Sequence, residues 1–150
     1  EDIGLADPQA VQQALAAKDV YDFLGSPEGE LALAQATIYL ASAPKSNAVY
    51  MAFKSASRRA KETGSLAPPK VILNAPTKLM KAHDYGAGYR YDHDEPEAFS
   101  GQDYFPAGMG RERYYDPPER GFEREIRKRL DYWAKLRKER DSDRGGGEST

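Results

Sequence analysis

The sequence predicts an all-α fold on three observations. Residues 8 to 63 hold three apolar segments at helical spacing, each bracketed by a capping residue and a proline or glycine stop. Phe122, Ile126, Leu130, Trp133 and Leu136 follow one another at intervals of 4, 4, 3 and 3, a single stripe along a long C-terminal helix. Between them the aromatic residues of 85–121 are interleaved with glycine and proline, a mixture that predicts an ordered, irregular segment rather than another long helix. With 150 residues and 39% hydrophobic composition, one domain is expected, burying roughly two-thirds of the surface that its unfolded chain exposes.

Asp7 before Pro8 sets a cap and a first-turn proline, and Gly25 supplies a stop, predicting a helix over 8–24 with Val11, Leu15, Tyr21, Phe23 and Leu24 as its apolar residues. Ser26-Pro27-Glu28 repeats the signal and Pro44 closes a second helix over 27–42. Leu31, Leu33, Ala34, Ile38, Leu40 and Ala41 lie all round that helix, which predicts the central, fully packed position. Ser46 or Asn47 caps a third, carrying Val49, Met51, Ala52, Phe53, Ala56 and Ala60 before Gly64. Connections this short predict a compact three-helix unit over 8–63.

Pro68-Pro69 breaks the pattern, Val71, Ile72 and Leu73 form a short apolar run, and Pro76 opens a short helix through Ala82. Between 85 and 121 lie eight aromatic residues, Tyr85, Tyr89, Tyr91, Phe99, Tyr104, Phe105, Tyr114 and Tyr115, interleaved with glycine and proline. Too many rings for a solvated linker, they predict an ordered, irregular segment packed on the helices. DSDRGGGEST, residues 141–150, has no apolar side chain and is expected to be disordered.

Basic and acidic residues nearly balance, 22 against 24, for a net charge of -2. The longest uncharged stretch in the first half, Leu31 to Pro44, is 14 residues, short of the roughly 20 that a membrane-spanning helix needs. No basic region precedes an apolar run, as a secretory signal would require. The absence of cysteine removes thiol nucleophiles and thiolate zinc sites and fits a reducing compartment, so the cytoplasm is the expected location. A start at Glu1 rather than methionine predicts a piece of a longer protein.

Chemistry-bearing motifs are few. No GxxxxGK[ST] loop occurs, and Gly86-Ala87-Gly88 follows a helix rather than a strand, so turn geometry accounts for it. His83, Asp84, Asp92, His93 and Asp94 could form a two-histidine, one-carboxylate metal site. Their places at a helix end and in a turn, where such side chains bond to backbone, are the better account. No GxSxG accompanies any serine. Residues 111–140 hold 11 basic against 7 acidic residues, and 81–104 hold 2 against 6. A charge-mixed helix reads first as a solvated face. One alternative is a DNA contact through Arg124, Arg127, Lys128 and Lys135, although a pI near 5.8 is low for an autonomous nucleic-acid binder, and a third reading is packing of the basic helix on the acidic aromatic segment of the same chain.

Six strings in order carry a resemblance: EDIGLADP (1–8), APKSNAVYMAF (43–53), NAPTKLMK (74–81), YGAGYRYDHDEP (85–96), QDYFP (102–106) and RYYDPPERGFEREIRKRL (113–130). Together they resemble the C-terminal region of the replication-associated recombination protein A family, bacterial AAA+ ATPases related to clamp loaders and to the Werner-helicase-interacting proteins. The likeness runs to about residue 133; Ala82-His83-Asp84 departs from it, which weakens any functional reading of His83.

The resemblance implies a junction from an upstream AAA+ lid over 1–7, an all-helical C-terminal oligomerisation domain over 8–140, similar to the clamp-loader collar, and a tail over 141–150. It further implies a homotetramer, and a whole protein that is a DNA-dependent ATPase of stalled replication forks, acting in recombination and repair, associated with the nucleoid and with single-stranded-DNA-binding protein. ATP and magnesium belong to the missing AAA+ module. No cofactor, metal or catalytic residue is expected in this chain, since none of the ATPase motifs is present in it. The surplus of aromatic side chains beyond one monomeric core agrees with self-association, with Tyr85, Tyr89, Tyr91, Phe99, Tyr104 and Phe105 as candidate interface residues and the C-terminal stripe as an intramolecular contact.

Overall fold

The computed structural model describes residues 2–73, 77–83 and 86–145. Among these residues are five α-helices, α1 (Ala10–Leu24), α2 (Glu28–Ser42), α3 (Ala48–Thr63), α4 (Lys78–Ala82) and α5 (Glu123–Gly145), with short 3-10 turns at Gly4–Ala6, Lys70–Ile72, Asp92–Asp94 and Pro96–Ala98. Among the described residues there is no strand. The chain divides into two units, residues 1–58 with 114–131, and residues 59–113 with 132–150.

In the first unit α1 and α2 form a hairpin. The Asp7 carboxylate accepts the Gln9 N–H at 3.0 Å, fulfilling the cap one turn before Ala10, and its second oxygen accepts the Tyr39 hydroxyl at 2.7 Å. Gly25 ends α1 at φ +69, its N–H donating to the Tyr21 carbonyl. The hairpin closes on small residues: Ala10 and Ala17 of α1, Gly29 and Ala36 of α2 are buried. A β-carbon on Gly29 would stand 2.6 Å from the Tyr21 Cα, so the backbones meet there directly.

That packing corrects the expectation for α2. Instead of lying at the centre of three helices, it packs on α1 through one face and leaves Leu31 and Ile38 each 70% exposed on another. The physical reason is size: alanine and glycine let two helices approach closely, and the large side chains that would hinder this approach are turned outward. The three-helix unit is likewise a helix pair, since the extensive helix–helix contact among the described residues is α1 on α2. The N-terminal turn is instead covered by the segment before α5. Phe122 donates its N–H to the Ala6 carbonyl at 2.8 Å, and Gly121, at φ +49, lies where a β-carbon would meet that same oxygen.

In the second unit the irregular segment is held by side-chain-to-backbone bonds. The Gln102 amide accepts from the Arg90 N–H at 2.9 Å and donates to the Gly88 carbonyl at 2.6 Å, and Asp92 accepts the Ser100 N–H at 2.8 Å. Phe99 packs on Trp133 with ring centroids 4.7 Å apart, and the Arg137 and Arg140 guanidinium groups lie over its face. Helix α5 runs to Gly145, not to 140, so the expected start of a disordered tail at Asp141 is corrected: Ser142 bonds back to the Lys138 carbonyl, and the helix reaches the first of the three glycines.

Candidate functional site

Among the described residues no catalytic constellation emerges, and the features that stand out are surfaces. Among the described residues no group of three or more metal-ligating side chains gathers; His83, Asp92, His93 and Asp94 are described and Asp84 lies outside the described residues. The Asp92 carboxylate is held below its ordinary range by hydrogen bonds from the Ser100 side chain and backbone. The His93 ring packs at a tilt against Tyr91, centroids 5.0 Å apart. Both are thus engaged in shaping their own loop.

The core of the first unit is made of alanines, Ala6, Ala10, Ala17 and Ala36, while large apolar side chains face outward. Phe23 at the end of α1 is 87% exposed and Phe53 on α3 is 72% exposed. A groove of about 360 Å³ lies beside Phe53, lined by Leu5, Val49, Ala52, Ala56, Tyr114 and Tyr115. Half-buried Tyr115 also forms an anchor, its hydroxyl donating to the wholly buried Glu123 at 2.7 Å. Burial, then that hydrogen bond and the charge of Glu123, hold the phenol well above the ordinary tyrosine pKa.

Of the aromatic residues expected at an interface, Tyr89, Tyr91 and Tyr104 are exposed. Phe99 and Phe105 are half-buried, Phe99 against Trp133 of its own unit, and Tyr85 lies outside the described residues. The sequence reading missed Leu31, Ile38 and Phe53 as exposed groups. The available signal was that the residues between the large ones in α2 are alanines, able to form a close helix pair by themselves.

The four basic candidates have separate fates. Arg124 is exposed and makes no ion pair among the described residues, whereas Arg127 is bound to the Pro117 carbonyl and to Asp116. Lys128 pairs with Glu125 at 2.9 Å. In the second unit Lys135 lies 3.8 Å from Glu139. Such solvent-exposed pairs contribute little to stability and leave the cations accessible. Arg127 is a structural residue, joining α5 to the segment before it.

The described residues thus form a helical domain that leaves large apolar side chains exposed on α1, α2 and α3. Sequence comparison defines it further: residues 1–134 match the family described as MgsA AAA+ ATPase C terminal, and the chain belongs to that family. It is 56% identical over 137 residues to a Replication-associated recombination protein A of Coxiella burnetii, covering 91% of this chain and 31% of the relative. With the protein of that name in Escherichia coli K12 it shares 51% identity over 135 residues, 89% of this chain and 30% of the relative. An ATPase WRNIP1 of Dictyostelium discoideum is 36% identical over 117 residues, 77% of this chain and 13% of the relative. The chain thus spans about three-tenths of the bacterial relatives' length. No described helix is long and apolar enough to cross a membrane.

Proposed function

We propose that this chain is the self-association domain of a DNA-dependent AAA+ ATPase that acts at stalled replication forks in recombination and repair, and that it assembles as a homotetramer. The observation that carries the reading is the inverted distribution of apolar side chains: an alanine core inside, with Leu31, Ile38, Phe23 and Phe53 outside. Contiguous exposed apolar surface on a folded domain marks an interaction site, and closed symmetric assemblies of one chain are the commonest solution. In this reading ATP and magnesium are held outside residues 1–150, and DNA and single-stranded-DNA-binding protein are met by the whole protein in the cytoplasm, at the nucleoid. Light scattering coupled to gel filtration tests it. A mass near four times the 16.7 kDa of one chain is expected, and a mass that stays at one chain after tenfold concentration overturns the reading. Calorimetry with Mg-ATP is expected to give no heat of binding, the phosphate loop being absent from the sequence.

A further inference from the structure

The exposed face of α2 has an internal order that singles it out from the other apolar surfaces. Leu31, Ala34, Ile38 and Ala41 are all exposed and follow one another at intervals of 3, 4 and 3 residues. That is the spacing of a seam between two helices. The seam lies away from Gly29, Ala32, Ala36 and Tyr39, the buried and half-buried residues of the opposite side of the same helix.

Its sizes alternate large, small, large, small. When α2 meets a second α2 running the opposite way, with the two-fold axis passing level with residue 36, Leu31 falls opposite the other copy's Ala41 and Ala34 opposite its Ile38. Each layer then contains one large and one small side chain, the arrangement that fills the space between two closely spaced helices. A parallel pair would instead set Leu31 on Leu31 and Ala34 on Ala34, alternating crowding with voids. The sequence is therefore complementary to itself in one direction only.

Electrostatics and hydrogen bonding agree. No charged side chain occurs from Leu31 to Pro44, so two copies of the seam do not repel. The hydroxyls bordering it are already satisfied inside their own helix, Thr37 donating to the Leu33 carbonyl at 2.8 Å and Ser42 to the Ile38 carbonyl at 2.9 Å, so covering them strands no donor. The other apolar surfaces lack this order: Val11 and Leu15 on α1 run into the ion-paired Lys18 and Asp22, and the groove beside Phe53 is shared between α3 and Leu5, Tyr114 and Tyr115 rather than presented by one helix.

The geometry points to an antiparallel, two-fold pairing of α2 with α2 of a second copy as the primary contact of the assembly. The inference rests on the self-association reading above and adds which face is used and in which direction. Two such pairs then make up the tetramer.

The test uses the 150-residue chain, with helicity by circular dichroism as the folding control and association followed by sedimentation equilibrium. Ile38→Ala is expected to weaken pairing at least about tenfold, having removed both Ile38–Ala34 layers. Exchanging the sizes in one chain, Ala34→Ile with Ile38→Ala, keeps a large residue opposite a small one in the antiparallel pair and is expected to restore affinity to within about threefold of the parent. Thr37→Cys, introduced into a chain without native cysteine, borders the seam where the same position of an antiparallel partner approaches, and mild oxidation is expected to give a dimer band. In a parallel pair the two positions lie on opposite sides, so an absent band overturns the direction. An oligomer unaffected by Ile38→Ala and dissociated by Phe53→Ser overturns the α2 face and leaves self-association standing. A parent chain monomeric at all concentrations overturns both.

Discussion

A β-carbon placed on Gly29 would lie 2.6 Å from the Cα of Tyr21 and 2.8 Å from a ring carbon of the same residue. The crossing of α1 and α2 is thus fixed by the absence of a side chain at one position. Gly29→Ala must push the helices apart, and the gain in helix propensity, about 1 kcal/mol, is outweighed by overpacking. We expect a net loss of roughly 1–3 kcal/mol, read as a lower midpoint in urea denaturation. An unchanged midpoint would show that the hairpin has room that this geometry denies.

Tyr115 gives a pH signature. Its phenol keeps its proton to higher pH in the folded chain than in the unfolded one, because it is partly withdrawn from water and bonded to Glu123. Its contribution is therefore complete below about pH 10, where an ordinary tyrosine ionises, and is lost as the pH climbs through the folded value. Ultraviolet titration of the tyrosines should show a late component that Tyr115→Phe removes. Removal of an early component instead would contradict the burial described.

Trp133 is the single tryptophan and reports on Phe99, 4.7 Å away. Phe99→Ala opens its ring face to water and also frees the Arg137 and Arg140 guanidinium groups from theirs. The emission maximum should move to longer wavelength. Stability should fall by roughly 2 kcal/mol, less than for a fully buried phenylalanine. Unchanged emission would place Trp133 in another environment.

DNA binding by this chain should stay in the nonspecific range, with Kd on the order of 10⁻⁵ M at physiological salt. The basic side chains of α5 alternate with acids, and Arg127 is held by Pro117 and Asp116. Fluorescence anisotropy with forked and single-stranded oligonucleotides measures it. Submicromolar binding abolished by Arg124→Ala with Lys128→Ala would make nucleic-acid contact a primary role of the domain.

The order and nature of the helices were legible from local chemistry. Asp7, Gly25 and Pro44 each act within a turn of their own position, and the observed helix ends fall close to them. What α2 packs against was not legible. An all-apolar helix has the same pattern whether it is surrounded by its own chain or by another, and only the pairing of Gly29 with Tyr21 shows which face is taken. Arg127 shows the same limit among the surface candidates. Its charge is evident in sequence, but its use as a clamp on Pro117 depends on a fold-back over ten residues that no spacing rule encodes.

Gln102 does for its loop what a peptide group does in a sheet, accepting from Arg90 and donating to Gly88 with one planar amide. Asparagine carries the same amide but is one methylene too short, and a hydroxyl or an imidazole does not set acceptor and donor side by side on one planar group. Glutamate, of nearly the same shape, would keep the bond from Arg90 and set a carboxylate against the Gly88 carbonyl, turning a clasp into a repulsion. A single deamidation at this position would therefore act as a slow, irreversible release of the loop, a form of chemical ageing written into the fold by its choice of a side chain where a strand would have used backbone.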